Sequence, residues 1–216
     1  MTLTEFSVQF DILYNNIFSN QAPGLTEYEK SVFLTQAQEA LVLDLYKGTA
    51  GDSFETTEEV TRYLSSLVKS EEIKNPTVTP NTKYNYSFKT KKEDVWFVVF
   101  QSAVISVDLN NSRDVLVVPT THDTLYKDLK NPFKGPNKNK VLITNDENGI
   151  NIYSKYPISS WYMKYLSRPT PIILEDLDNG LTIENISSNT ECVLPESLHQ
   201  QIILRAVQMA KAVWVS

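Results

Sequence analysis

The sequence predicts an α+β protein: a helical bundle of three N-terminal helices plus a C-terminal helix, with an antiparallel β-rich barrel or sandwich inserted between them. Three observations carry this. Apolar residues recur at helical spacing through the first third, the pattern turns to β-branched runs and alternation from about residue 80, and helical spacing returns in "ESLHQQIILRAVQMAKAVWVS". The expected division is residues 1–78 for the first helices, 79–193 for the β-rich insertion and 194–216 for the closing helix.

The first helix, over 4–19, places Phe6, Phe10, Leu13 and Ile17 on one stripe, with Thr2 and Glu5 at capping-box spacing. The second runs from the Thr26 cap, with Glu29 three residues on, to a Gly48 stop; its stripe is Tyr28, Phe33, Ala37, Ala40, Leu41 and Leu45. The third is expected over 57–73, from Thr56 to just before Pro76.

In the β region, "KYNYSFK", "VWFVVFQSAVISV" and "DVLVVPTT" read as strands, and "THDTLYKDLKN" as a short helix closed by Pro132. "KVLITND", "GINIYSKY", "SSWYMKYLS", "PIIL" and "LTIENI" read as further strands, with "DENG" and "DLDNG" as turns. The last helix starts at Pro195, a residue favoured at a first helical position.

At 216 residues, 41% hydrophobic and 21% charged, the chain suits one ordinary globular domain or one core with an insertion. No apolar run approaches the roughly 20 residues of a membrane span, and the N-terminus lacks a basic region followed by an apolar stretch. Cys192 is the single cysteine, so no internal disulfide forms, and a reducing cytoplasm is the expected place of synthesis. Net charge is −6, yet residues 1–60 hold ten acids against Lys30 and Lys47, or −8, which leaves +2 for the rest. Such asymmetry fits an assembly unit with two unlike ends, or a solvated helical face.

Catalysis finds little support. GxSxG, HExxH, the P-loop and GxGxxG are absent, and six glycines leave no phosphate-cradling loop. His122 fits a helix-starting turn, with Thr121 or Asp123 as cap, better than a base or metal ligand. His199 lies on the first turn of the closing helix with Glu196 as the nearby acid, and Cys192 reads as a small buried hydrophobe rather than a thiolate. No metal or cofactor is expected. Lysines cluster twice among aromatics: Lys83, Lys89, Lys91 and Lys92, then Lys127, Lys130, Lys134, Lys138 and Lys140. They suit blunted strand edges and soluble loop tips, with passing phosphate contact with DNA as the lesser alternative; only four arginines accompany them.

"NQAPGLTEYEKSVFLTQAQEALVLDLY", "THDTLYKDLKNPFKGPNKNKV", "YMKYLSRPTPIIL" and "CVLPESLHQQIILRAVQMAKA" together resemble the ring (adaptor) proteins of the head-to-tail connector of crAss-like, podovirus-type bacteriophages. The resemblance implies a non-enzymatic virion protein of the tail or neck that docks under the portal protein as a twelve-fold ring. Its implied partners are copies of itself, the portal, other ring or tail proteins and, transiently, phage DNA. Where the family favours arginine, "SRPTPIIL" keeps only Arg168 and "NPFKGPNKNK" carries lysines. A tail tube, hub or muzzle component and a nucleic-acid-binding accessory module are the alternatives.

Two segments are expected to form contacts. Arg168, Pro169 and Pro171 interrupt a strand ladder, since prolines lack an N–H, and so end or edge a strand where a neighbouring subunit can dock. On the closing helix, Leu198, Ile202, Ala206, Met209 and Val213 form one stripe and Ile203, Val207, Ala210 and Trp214 a second. Either both are core, or Val213 and Trp214 anchor an interface. The acidic N-terminal third and the lysine-bearing β region would supply complementary faces, around a channel wall that is not strongly basic.

Overall fold

The computed structural model describes residues 1–15, 24–48, 58–74, 77–78, 85–88, 95–108, 111–146, 149–178 and 180–215. They form two compact units: Met1–Leu67 with Arg168–Ser216, which is mainly helical, and Val68–Ser167, which is mainly sheet. The fold class is α+β.

In the first unit, α1 (Leu3–Asn15) and α2 (Glu27–Lys47) both open on complete capping boxes. At α2 the Thr26 N–H donates to Glu29 Oε2 at 2.8 Å, and the Glu29 N–H donates to Thr26 Oγ1 at 3.3 Å. Each box satisfies amides that the first helical turn leaves without partners. Helix α2 stops at Gly48, whose φ of 61° suits a residue without a side chain. Helix α5 (Glu196–Val215) packs against both. Phe6, Phe10 and Tyr14 of α1 are buried, as are Leu198, Ile202, Ile203, Ala206, Val207 and Ala210 of α5. Leu13 is half-buried, and Ile17 lies outside the described residues.

The buried face of α2 is not the expected apolar stripe. Ala37 and Leu41 are buried, but Tyr28, Phe33, Ala40 and Leu45 are only half-buried, and Lys30, Ser31, Leu34, Thr35, Gln38 and Val42 face inward. The polar members are there because α2 serves as hydrogen-bonding partner to the extended segment 170–174. The Leu174 N–H donates to Ser31 Oγ at 3.0 Å, the Ile172 N–H to Thr35 Oγ1 at 3.1 Å, and Gln38 Nε2 to the Thr170 carbonyl at 2.8 Å. On the other side of the segment, Ile173 exchanges both backbone bonds with Thr190, at 3.1 and 3.0 Å, and Thr190 Oγ1 donates to the Pro171 carbonyl at 2.5 Å.

The spacing explains why a helix can do this. Alternate residues of an extended chain recur about every 6.6 Å, while helix positions three to four apart recur about every 5–6 Å. Ser31, Thr35 and Gln38 thus step down α2 in register with residues 174, 172 and 170. Pro169 and Pro171 fall at the odd positions, whose backbone faces away from α2, and both are buried. "PIIL" and "LTIENI" are therefore not ladder strands; they make the isolated bridges Ile173↔Thr190 and Ile183↔Ile186.

Lys30 ties α1 to α2. It is 3% exposed, and its Nζ donates to Asp11 Oδ2 at 2.7 Å, Glu27 Oε1 at 2.9 Å and Ser7 Oγ at 3.2 Å. Burial pushes its pKa down, but the hydrogen bonds and charges of Asp11 and Glu27 outweigh this and raise it. The ammonium form thus contributes stability that is fully present below the unfolded-state lysine value and is lost as pH climbs through the raised one.

The third helix is shorter than expected. Helix α3 covers Glu58–Leu64, followed by one 3₁₀ turn at Ser65–Leu67, and the chain then becomes strand β1 (Val68–Lys74). Thr56 and Pro76 lie outside the described residues. "VKSEEIK" alternates in burial and pairs along its whole length with β8 (Ile158–Ser167), a tertiary ladder that overrides the helical reading.

Among its described residues the second unit forms one open sheet of mixed direction, where the sequence predicts a wholly antiparallel barrel or sandwich. It holds one eight-stranded sheet in the order β1-β8-β4-β5-β6-β7-β3-β2, with β2 at Thr77–Val78, β3 at Asn85–Phe88, β4 at Val95–Asp108, β5 at Asn111–Pro119, β6 at Lys140–Asp146 and β7 at Gly149–Tyr153. Neighbours are antiparallel except β5 and β6, which run parallel because helix α4 (His122–Lys130) carries the chain back between them. Alternate residues from five strands, among them Ala103, Ile105, Val117, Ile143, Ile152, Trp161 and Met163, form one core. No described helix residue enters that cluster, so the sheet bends over its own inner face. Register shifts in β4 at Val95/Phe97, Val98/Phe100 and Val104/Ile105 supply the bending.

Thr35→Val keeps the volume of the side chain but leaves the buried Ile172 N–H without its acceptor. A loss of about 1–3 kcal/mol in unfolding free energy is expected, measured by urea denaturation; an unchanged midpoint would mean that the α2 polar stripe is not what holds segment 170–174.

Candidate functional site

Two surfaces are built from the residues singled out by sequence. The first surrounds Arg168, which opens the 170–174 segment. Its guanidinium donates to Glu39 of α2 and pairs with Glu184 Oε1 at 2.7 Å. Glu184 and Asn185 form a two-residue turn between Ile183 and Ile186, with φ of 52° and 64°, both in the left-handed region. Asn tolerates that region well and Glu does not, so the Arg168 contact holds a strained residue in place. Burial and the hydrogen bond with Glu39 push the Glu184 carboxyl upward against the pull of Arg168. Arg168 is exposed, while Pro169 and Pro171 are buried within the first unit.

The second surface is α4 and the turn that follows it. None of the α4 side chains is buried. His122 Nε2 bonds the Asn145 carbonyl at 3.0 Å, and Thr120 Oγ1 donates to Asp128 Oδ2 at 3.0 Å, which fix the helix at the C-terminal ends of β5 and β6. Thr121 is the cap residue, and its hydroxyl meets that of Thr124 at 2.8 Å. The hydrogen bond from Thr121 also lowers the Asp123 pKa.

The turn after α4 is tightly made. Asn131 Oδ1 accepts from the N–H groups of Phe133 and Lys134 at 2.9 and 3.2 Å, and the Gly135 N–H donates to the Asn131 carbonyl at 2.7 Å. A Cβ at Gly135 would meet that carbonyl oxygen at 2.8 Å, so only glycine lets the turn close on the helix end. Lys140 Nζ caps the Phe133 carbonyl at 2.8 Å. On this fixed frame Phe133 is 88% exposed, and Tyr126 and Leu129 are exposed on the same side of the helix. Lys130 Nζ sits 4.2 Å from the centre of the Tyr126 ring. Lys127, Lys134 and Lys138 of the same helix and turn are exposed, whereas Lys140 is half-buried in its structural bond.

The remaining candidates divide. Lys83, Lys89, Lys91 and Lys92 lie outside the described residues, as does the Trp214 side chain, while Val213 is 62% exposed at the end of α5. His199 is core: its Nε2 bonds the Leu194 carbonyl at 2.9 Å and its ring stands 5.0 Å from that of Phe6. Burial pushes the Cys192 thiol up to about 11, and its Sγ donates to Gln38 Oε1 at 3.2 Å, so the thiol completes the α2 polar stripe. The lysines of "YKDLKNPFKGPNKNK" mark this surface in the sequence, whereas the exposure of Tyr126, Leu129 and Phe133 does not follow from their spacing. The Asn-Pro-Phe-Lys-Gly turn, with an aromatic at its tip, was the signal available.

Residues 1–214 match the phage tail ring protein 3/4 family. The chain belongs to that family. It is 40% identical over 218 residues to "Ring protein 3" of Bacteroides phage crAss001, covering 97% of this chain and 95% of that one. It is also 33% identical over 227 residues to "Ring protein 4/5" of the same phage, covering 99% and 94%. Family membership makes this chain a structural component of a phage particle. The four motifs of the resemblance are thereby accounted for physically: α2 with its polar stripe, α4 with its turn, the Arg168 segment, and α5.

A raised folded-state carboxyl pKa contributes stability that is present below the unfolded value and is lost as pH rises through the folded one. Glu184→Gln, which mimics the protonated form, is accordingly expected to match the wild type at pH 4 and to melt higher at pH 7. Equal melting temperatures at pH 7, or a lower one for the variant, would show that the Arg168 pairing outweighs the burial of the second carboxylate.

Proposed function

We propose that this chain is the repeating subunit of a head-to-tail connector ring that docks beneath the portal and helps form the DNA passage. The end-to-end family match is the observation that carries this reading. The higher identity to ring protein 3 than to ring protein 4/5 favours the position that the former name denotes. A closed ring needs one heterologous contact repeated by every copy, hence two unlike faces on each chain. The charge division of the sequence, −8 in residues 1–60 against +2 in the remainder, supports such a pair. The role is structural rather than catalytic: the Cys192 thiol donates to Gln38, and the buried His199 ring bonds the Leu194 carbonyl through Nε2.

The partners in this reading are further copies of the chain in a twelve-fold ring, the portal, adjoining ring or tail proteins and, in passing, phage DNA. Synthesis occurs in the host cytoplasm and the working location is the virion neck. The channel wall is not strongly basic, since phosphate affinity accumulates with each cation and would retard the genome.

Cryo-EM of the intact particle tests this. The expected map places the chain in a twelve-fold ring below the portal, with the Lys134 and Lys138 side chains off the channel wall. A lysine-lined channel would overturn the second part, and the chain in a fibre or in the capsid shell would overturn the first.

A further inference from the structure

The α4 surface is an expensive feature for an isolated chain: a phenylalanine almost fully in water, held rigidly by a turn that spends three backbone donors and a lysine on fixing it. Preordered aromatic anchors of this kind lose little entropy on docking and dominate interface energies. Helix α4 and its turn carry the exposed Lys127, Lys130, Lys134 and Lys138 against Asp123 and the half-buried Asp128, a net +2 beside Tyr126, Leu129 and Phe133, so the occupant must be apolar at its centre and acidic at its rim.

Such a surface exists on the same chain. On α1, Val8 and Ile12 are 51% and 52% exposed, one turn apart on the face opposite to Phe6, Phe10 and Tyr14. Around them stand Glu5 and Asp11, and the Lys30 contacts bring Glu27 of α2 beside Asp11. Counting Glu5, Asp11, Glu27 and Glu29 against Lys30 gives −3.

Resting on the ring reading above, we infer that the α4 face of one copy, centred on Phe133, docks onto the Val8–Ile12 face of α1 in the next copy. The two faces match in apolar content and oppose in charge, and both occur on every chain, so the contact repeats around a ring. A face-to-face pairing of two α4 surfaces is disfavoured because it sets two net-basic faces, each +2, against one another. Nucleic acid is disfavoured as well. Single-strand binding uses open aromatic faces as stacking platforms, but the Lys130 ammonium already covers the Tyr126 ring, which leaves Phe133 alone.

The test uses assembled full-length protein in a Cys192→Ser background, with Val8→Cys and Phe133→Cys as separate variants and a short bis-maleimide as cross-linker. Both positions are exposed, and melting temperatures within a few degrees of the parent verify folding. The expected result is that each variant alone stays monomeric on a denaturing gel, while rings formed from the two mixed yield a covalent dimer as the main product. Dimers from Phe133→Cys alone would overturn the inference in favour of α4 against α4. Rings seen by electron microscopy without any mixed cross-link would overturn it and leave the ring reading standing. Failure of the parent protein to form rings, with portal present, would overturn both. Assembly that requires added duplex DNA, with Phe133→Cys shielded from maleimide by that DNA, would assign the face to nucleic acid instead.

Discussion

The fold of the first unit hangs on an α-helix acting as the partner of an extended chain. Segment 170–174 cannot join a conventional ladder, since Pro169 and Pro171 offer no N–H and the segment leaves the sheet after β8. Buried backbone groups without partners would each cost about 1–3 kcal/mol. Ser31, Thr35 and Gln38 prevent that on one side, and Thr190 does so on the other. With Ile172 and Ile173 fully buried, the seam joins α2 to the stretch that leads into α5. Arg168 at its head and Cys192 at its flank are then placed as consequences, through Glu39 and Gln38.

This arrangement also divides the labour between buried and exposed groups. Inside the first unit Ser31, Thr35 and Gln38 serve the backbone of segment 170–174, and Lys30 is held by Asp11, Glu27 and Ser7. Exposed apolar side chains stand among charges on the outer faces of α1 and α4, net acidic on the first and net basic on the second. A ring subunit benefits from that separation. Its body must keep one shape while the same contact repeats, and rigid anchors such as Phe133 reduce what each repetition costs in entropy.

Local signals in the sequence were legible where one residue answers to one neighbour. Both capping boxes, the Gly48 stop, the short α4 helix and the main strand runs follow from spacing alone. Long-range requirements were not. The inward face of α2 is missed because Ser31, Thr35 and Gln38 look solvent-facing until segment 170–174 is known to lie on them. Residues 68–74 carry enough charge to extend a helix, and only pairing with β8 makes them a strand. The parallel β5–β6 pair is likewise invisible until α4 is recognised as a crossover rather than an appendage. The α4 surface was half legible: lysines mark it in the sequence, but that Phe133 points outward from a closed turn depends on Asn131 and Gly135.

Amide hydrogen exchange on the full chain, resolved by residue, tests the helix-as-partner account most directly. Ile172, Ile173 and Leu174 should exchange as slowly as the buried middle of α2, because their N–H groups are held by Thr35, Thr190 and Ser31. Exchange at these three amides as fast as at the exposed Ser187 and Ser188 would contradict it.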